Sequence, residues 1–425
     1  MNIILDFPYK ISLIKLSKKY NFRIYITGGT VRDILLKNQK INDIDIAVEG
    51  CSETFSRNFS NIINASFVIL DRKRKIYRVV KNKFFFDFTQ ISVTIIDDCK
   101  RRDFTINSIA FDLKENKIID PFNGISDLNN KIIRMNSQTS FCDDPLRIIR
   151  AFRFSLNLFF KIDNKTSKLI SKYSDSLNNV AGERINNELS LILEHPSCLK
   201  TLESMNELRI LKHIFYRKIK KDNFRFISRY EFFLKHQKNK SINKWLNENI
   251  KGGKSRNAFI KFILLIIDLS PYHIKIVLKR LKLSSEEKKI LMSIVKIFSS
   301  MDFLIDENDF YQVLHSFKAQ TPFIIILLYI CRFISKNKYQ RLLLDFFKYL
   351  KIENNFSKII SGNKILDKLK SVSGPEIGII VQNIKKELFT NPKEAKIKLK
   401  QESYSNFLIS DNNLKKNSNF IKGSY

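Results

Sequence analysis

Cysteine is scarce and unpatterned in this chain, with five residues (Cys51, Cys99, Cys142, Cys198 and Cys331) in 425 and no CxxC pair. An odd, scattered set argues against a disulfide framework or a zinc site and fits a reducing compartment. Long hydrophobic runs are missing too. The longest, Phe323 to Cys331, is far short of the roughly 20 residues that cross a bilayer. The opening MNIILDFPYKISLIKL carries Asp6 and Pro8 and lacks a signal-peptide pattern, so the expected location is cytoplasmic, with no membrane partner. Five histidines (His195, His213, His236, His273, His315) include no His-Asp pair, which speaks against an appended metal-dependent phosphohydrolase domain. The scarcest commodity is negative charge: Asp+Glu 42 against Lys+Arg 75, a net +33. Such a field attracts polyanions, nucleic acid first, although a Lys/Ile/Asn-rich coding bias also inflates it. The 44% hydrophobic content is that of an ordinary globular protein, and the length allows roughly two to four modules with cores of their own.

What is present concentrates first in TGGTVRDILLKNQKINDIDIAV. Phe22 to Ile26 reads as a short strand, Thr27-Gly28-Gly29-Thr30 breaks it, and Val31 to Leu36 reads as the start of a helix. Paired glycines at a strand-to-helix turn let backbone approach a phosphate, and free N–H groups at the helix start favour the anion. An ordinary tight turn uses the same residues. Asp43 and Asp45 then stand two apart in the expected strand Ile44 to Val48, so both carboxylates leave one face. Like charges held that close need a cation or a shared proton. Carboxylate oxygens suit Mg²⁺, and two such ions about 3.5–4 Å apart can clamp an in-line phosphoryl transfer.

Ile11 to Tyr20 and Ser52 to Ile63 read as helices. Ser66 to Leu70, Ile76 to Val80 and Phe84 to Thr89 alternate like strands. Asp87, between Phe86 and Phe88, is either a third carboxylate of the metal face or a solvent-facing acid. In Arg101-Arg102-Asp103-Phe104-Thr105-Ile106-Asn107 the arginines supply forks for phosphate, Asp103 can accept from a ribose hydroxyl, and Asn107 offers donor and acceptor. Asp120-Pro121-Phe122-Asn123-Gly124 is a turn before a helix. In Asp143-Asp144-Pro145-Leu146-Arg147 an acid before proline reads as an N-cap. Arg147, Arg150 and Arg153 then recur every third residue as a basic stripe. A sharper reading pairs Asp144 as acceptor with Arg147 as donor. Such a pair accepts the exocyclic amine of C or A and repels the carbonyl that G and U present there. Residues 200 to 425 read as Lys-rich helices, with Phe262 to Ile267 and Phe323 to Cys331 as buried centres. The Asn-, Ser- and Lys-rich end after Asp411 is expected to lack order.

These residues resemble a family. GGTVRD with DID, RRDFTINSIAFD, DPFNGISDL, DDPLRIIRAFRF and Glu183-Arg184-Ile185 to Glu188-Leu189 stand in the order seen in class II tRNA nucleotidyltransferases and bacterial poly(A) polymerases. The likeness is strong over residues 20 to 200 and returns weakly at Gly374-Pro375-Glu376-Ile377-Gly378. It implies an α+β protein: a polymerase-β-like head (1–133), then an all-α neck (134–200), body (201–345) and tail (346–425). It implies that Asp43 and Asp45 hold catalytic Mg²⁺, that Arg101 to Thr105 hold ribose and triphosphate, and that Asp144 and Arg147 template the base. With Asp87 counted as catalytic, the candidate nucleotide-binding set is Gly28, Gly29, Arg32, Arg101, Arg102, Asp103, Asn107, Asp144, Arg147, Arg150 and Arg153.

The expected activity is template-independent addition of C and A to a tRNA 3′ end from CTP and ATP, with pyrophosphate released and no role for DNA. Asp143 stands where the family often has Glu, and Asn123 replaces the first Gly of a common pair. The connection from Thr89 to Asp98 is short where many CCA-adding members carry a longer flexible loop that helps them switch from C to A. Addition of CC only or A only is therefore one alternative. Poly(A) addition is another, but SFVILDRKRKIYRVV (66–80) does not reproduce the basic-aromatic signature of those enzymes. A catalytically dead RNA-binding protein would not need Asp43, Asp45, Asp103, Asp144 and Arg147 together.

Overall fold

The computed structural model describes residues 7–37, 41–91, 93–299, 307–359, 367, 374–401 and 404–407. It divides into two compact units, Met1–Leu283 and Ser284–Tyr425. The end after Asp411, expected to lack order, lies outside the described residues.

The first unit opens with α1 (Lys10–Tyr20), β1 (Arg23–Thr27), α2 (Gly28–Leu35), β2 (Asp43–Glu49) and α3 (Ser52–Ile62). Next come β3 (Ser66–Asp71), β4 (Ile76–Lys81), β5 (Phe84–Ile91), α4 (Ile95–Lys100), β6 (Ala110–Asp112), β7 (Lys117–Ile119) and α5 (Gly124–Asn129). Strands β1 to β7 form one sheet in the order β3-β4-β5-β2-β1-β6-β7. Only β2 and β5 pair in parallel; the other neighbours are antiparallel. The alternation in β2 drives this layer. Ile44 and Ile46 are buried on the face that Phe55 and Phe59 of α3 cover together with Phe86 and Phe88 of β5. Asp43 and Asp45 are thereby left on the opposite face, where α4 covers only the part around Ala47 through Ile95 and Cys99. Both strands end near their expected limits because alternation and turn residues agree. The β2–β5 pairing is long-range and carries no local signal.

The helical part of this unit continues with β8 (Ile132–Ile133), α6 (Ser140–Asp143), α7 (Arg147–Leu158), β9 (Lys161–Ile162), α8 (Asn164–Tyr173) and α9 (Gly182–Glu194). Strands β8 and β9 pair in parallel, a small sheet the sequence reading did not contain. Helices follow at Leu199–Glu207, Ile210–Phe215, Lys221–His236, Lys240–Asn247, Arg256–Ile266 and Pro271–Leu281. The expected boundaries at residues 133 and 200 both fall inside this unit.

Helix α9 is fastened at both ends. Arg280 donates to the Val180 and Leu177 carbonyls at 2.7 and 2.8 Å, ahead of its first turn. At its last turn the fully buried Lys261 donates to the Leu193 and His195 carbonyls at 3.0 and 2.7 Å. Glu194 returns the favour, accepting from the Ser255 N–H (2.9 Å) and hydroxyl (2.6 Å) where Arg256–Ile266 begins. Each helix thus satisfies the other's orphan terminal groups.

In the second unit, helices Ser285–Ser299, Glu307–Phe317, Thr321–Ile330, Lys336–Ile359, Gly374–Thr390 and Pro392–Lys400 follow one another. Thr321–Ile330 is buried along nearly its whole length, as the run Phe323 to Cys331 requires. No described helix is long and apolar enough to cross a membrane.

A methyl group at Gly182 would overlap the backbone carbonyl of Arg280. Backbone cannot yield as a side-chain tip can, so Gly182→Ala should destabilise the protein by about 1–3 kcal/mol. A melting temperature equal to that of the wild type would mean the two helices can separate at no cost.

Candidate active site

The sheet's open face and the helices α7 and α9 meet at a cleft of about 430 Å³. Nine expected residues line it: Gly29, Arg32, Asp45, Arg102, Asp103, Asn107, Asp144, Arg147 and Arg150. Leu146, Phe154 and Arg184 line it as well. Gly28, Asp43, Asp87, Arg101 and Arg153 are not among the residues that line it.

At the sheet end, Asp45 pairs in register with Asp87 across β2 and β5. Asp43 and Asp45 leave the same face. Asp87 is turned to Arg78, which donates to both its oxygens at 2.7 Å. Burial pushes the Asp45 carboxyl up; Arg102 opposes this, and the charges of Asp87 and Asp43 add to it. A carboxylate pair left short of positive charge suits a hard divalent cation, so the donor set fits such an ion. Among the described residues no cluster of three or more His, Cys, Asp or Glu side chains forms a ready-made metal cage.

Gly28 starts α2 at a φ of 65°, and a side chain there would overlap the Arg102 guanidinium. Glycine is needed at that position so that the guanidinium can lie against the helix start. Gly29 has no such crowding. Arg102 is fixed by Asp98 (3.0 and 2.9 Å) and Thr27 (2.9 Å). Burial would raise Asp98, but Arg102 and Arg101 outweigh it and hold the carboxyl below its usual range. The two expected phosphate forks therefore part: Arg102 faces the cleft, while Arg101, on the same Asp98, stays outside its lining.

Asp103 is buried, and neither oxygen is idle. Oδ1 accepts from the Phe104 N–H and the Asn107 amide, each at 2.9 Å. Oδ2 accepts from Arg150 at 2.9 and 2.7 Å. Burial would raise this carboxyl; Arg150, Asn107 and the Phe104 N–H more than reverse that. The Asn107 carbonyl in turn accepts from Arg32 at 2.6 Å.

The expected stripe on α7 divides. Arg150 and Arg153 both reach Glu188 of α9, at 3.1 and 2.6 Å. Arg147 turns the other way, to the Ser140 hydroxyl (2.9 Å) and the Arg101 carbonyl. The expected N-cap also shifts. Helix α7 starts at Arg147 with no side-chain cap, because Asp144 accepts instead from the Leu146 N–H at 3.2 Å. Its other oxygen accepts from Arg184 at 2.8 Å.

Sequence reasoning assigned no site role to Phe154, Arg184, Glu188 or Asp98. Phe154 has the guanidinium carbons of Arg32, Arg150 and Arg153 at 5.3, 5.2 and 4.3 Å from its ring centre. It lies four residues after Arg150 on α7, so helical spacing could have found it. Arg184 and Glu188, also four apart, shared one noted motif but faced no visible partner in the sequence.

The fold is α+β, a seven-stranded mixed sheet with helices followed by a helical remainder. Residues 24–134 match the family model described as "Poly A polymerase head domain". Residues 159–220 match "Probable RNA and SrmB- binding site of polymerase A". The chain is 36% identical over 193 residues to a CC-adding tRNA nucleotidyltransferase of Synechocystis sp., 45% of this chain and 46% of that protein. It is 25% identical over 402 residues to a CCA-adding enzyme of Streptococcus agalactiae, 89% and 92% of the two chains. It spans about half the length of the curated relatives that it matches at 36–37% identity. The solved apo form I of a CCA-adding enzyme superposes with a TM-score of 0.74 at 23% identity, covering 93% of both chains. The Thermotoga maritima CCA-adding enzyme complexed with tRNA gives 0.70 at 24%, covering 93% of this chain and 94% of that one. These likenesses show the fold. Over residues 24–134 and 159–220 the chain is thus similar to poly(A) polymerase domains, and to relatives named CC-adding and CCA-adding enzymes.

Two carboxyls at this site should titrate with opposite effects. Asp45 is raised in the folded state, so its contribution to stability is full below the unfolded value of about 3.9 and is lost as pH rises through the folded one. Asp103 is lowered, so it stabilises above about 3.9 and loses that effect as pH falls through its folded value. In chelator at neutral pH, Asp45→Asn should raise the melting temperature, with the gain fading in acid. Asp103→Asn should cost about 3–5 kcal/mol at neutral pH, because Arg150 loses a buried partner. Melting curves of both variants from pH 3.5 to 8 check the two signs.

Proposed function

We propose that this protein adds C and A to the 3′ ends of tRNA from CTP and ATP, without a nucleic-acid template and with release of pyrophosphate. The observation that carries the reading is the cleft itself, where Asp45, an arginine wall and the Asp144–Arg147 region meet. In this reading the RNA 3′ hydroxyl attacks the α-phosphorus of the nucleotide. The new bond is that phosphoester, the bond lost is to the pyrophosphate oxygen, and the hydroxyl proton leaves to solvent. Asp43 and Asp45 hold the divalent ions, Mg²⁺ in our assignment, with Asp87 as the third acid of that face, its charge balanced by Arg78. An ion held by these carboxylates would supply Lewis-acid activation of the hydroxyl and charge neutralisation for the leaving pyrophosphate. Gly28, Gly29 and the start of α2 receive the triphosphate, helped by Arg32 and Arg102, while Arg101 acts from outside the lining by sharing Asp98 with Arg102. Asp103 and Asn107 shape the ribose end, Arg150 and Arg153 fix the helix behind it, and Asp144 with Arg147 reads the base. The Lys-rich helices of the body and tail hold tRNA mainly through its phosphates, in the cytoplasm.

A second reading, addition of CC alone, draws on two observations. Two relatives at 36 and 37% identity are named CC-adding, although another at 36% is named CCA-adding. The link after β5 is short, since strand ends at Ile91 and α4 begins at Ile95 behind a Thr94–Asp97 capping box. Purified protein given tRNAs lacking three, two or one terminal nucleotides, with each NTP separately, decides between them. Full CCA synthesis requires that ATP extend the tRNA lacking only its last nucleotide. Asp43→Ala and Asp45→Ala should each abolish addition while leaving tRNA binding close to wild type. Near wild-type turnover in either, at ordinary Mg²⁺, would refute the metal assignment.

A further inference from the structure

We infer that Arg184 is an internal competitor for the base-reading carboxylate: it occupies Asp144 when no base is bound and yields it only to a base offering an amine. The inference rests on the assignment of Asp144 and Arg147 to base reading made above.

Neither half of that pair is free as the protein stands. Asp144 spends one oxygen on the Leu146 N–H at 3.2 Å and the other on Arg184 at 2.8 Å. Arg147 is engaged by Ser140 and the Arg101 carbonyl. Arg184 lines the same cleft as both. Its backbone is held rigidly, one turn from Glu188 on a helix fastened at both ends, but its guanidinium is not. The Arg184 side chain is 53% exposed and that of Asp144 28%, with a single contact between them. An ion pair so open to water is worth about 0.2–1 kcal/mol, and releasing the arginine to solvent costs little.

Replacement then depends on the chemistry of the incoming edge. The exocyclic amine of cytosine or adenine is a donor and can take the place of Arg184 on Asp144. Uracil and guanine present a carbonyl oxygen there, an acceptor that cannot displace a guanidinium from a carboxylate. While Arg184 stays, it also neutralises Asp144 and softens the repulsion that would otherwise expel those bases. The arginine therefore weakens binding of the right nucleotides and shelters the wrong ones. A residue that merely positioned Asp144 would do the reverse in both respects.

The test is equilibrium binding of CTP, ATP, UTP and GTP to the full-length protein with Mg²⁺ and without RNA. Wild type, Arg184→Met, Arg184→Lys and Asp144→Asn are compared, with melting curves to confirm folding. Competition predicts that Arg184→Met tightens CTP and ATP by about 1.5- to 5-fold, the range that 0.2–1 kcal/mol supplies. The ratio of their affinities to those of UTP and GTP should widen. Arg184→Lys, which keeps the charge but loses the fork, should fall between. Weaker or unchanged CTP and ATP binding in Arg184→Met, with Asp144→Asn impaired, would overturn the competitor and leave the base-reading assignment standing. If Asp144→Asn binds all four nucleotides as the wild type does, that assignment fails and the competitor falls with it.

Discussion

Asp103 is a buried carboxylate with four donated hydrogen bonds, and the geometry of the cleft hangs on it. A lone ionised acid in that place would be costly, and Arg150 makes it tenable. The compensation works both ways, because Arg150 is itself half enclosed and needs Asp103 and Glu188. Three segments far apart in sequence are thereby locked together: the loop before β6, helix α7 and helix α9. Asn107 extends the chain of contacts to Arg32 on α2. What positions this wall of the cleft is thus a run of charged and amide groups, each satisfied by the next.

The same logic explains which polar groups face the cleft with capacity to spare. Arg153 serves the fold: its Nε donates to Glu188 at 2.6 Å and the guanidinium packs on Phe154, outside the cleft lining. Arg102 and Arg147 retain cleft-facing surface beside their internal bonds. Asp45 differs from Asp103 in having no arginine bonded to it, and this is why the half-buried Asp45 and the buried Asp103 shift in opposite directions.

Much of the head was legible in the sequence because its signals are local. The Asp43–Asp45 spacing, the alternation in β3 to β5 and the glycines at α2 each specify a backbone state within a few residues. Helices α1 and α3 begin and end within one residue of the limits read from their apolar spacing. What could not be read is pairwise and distant. Nothing near Asp87 announces Arg78, and nothing near Asp144 announces Arg184, forty residues on. The basic stripe was read as one face because helical spacing is all a sequence offers. Its division follows from where Ser140 and Glu188 happen to stand. Asp103, judged from its neighbours as a free acceptor, instead has both oxygens occupied.

The reciprocal fastening of α9 and helix Arg256–Ile266 bears on how the protein comes into being. Residues that complete α9, Ser255, Lys261 and Arg280, are made some sixty to a hundred positions after the helix contacts they satisfy. Until they leave the ribosome, α9 has a frayed start and unsatisfied final carbonyls, and a helix of that length is marginal alone. The catalytic head, whose sheet closes by Ile119, can condense long before. During synthesis there is therefore an interval in which the head can form while α9, which carries Arg184 and Glu188, still lacks the partners that fasten it.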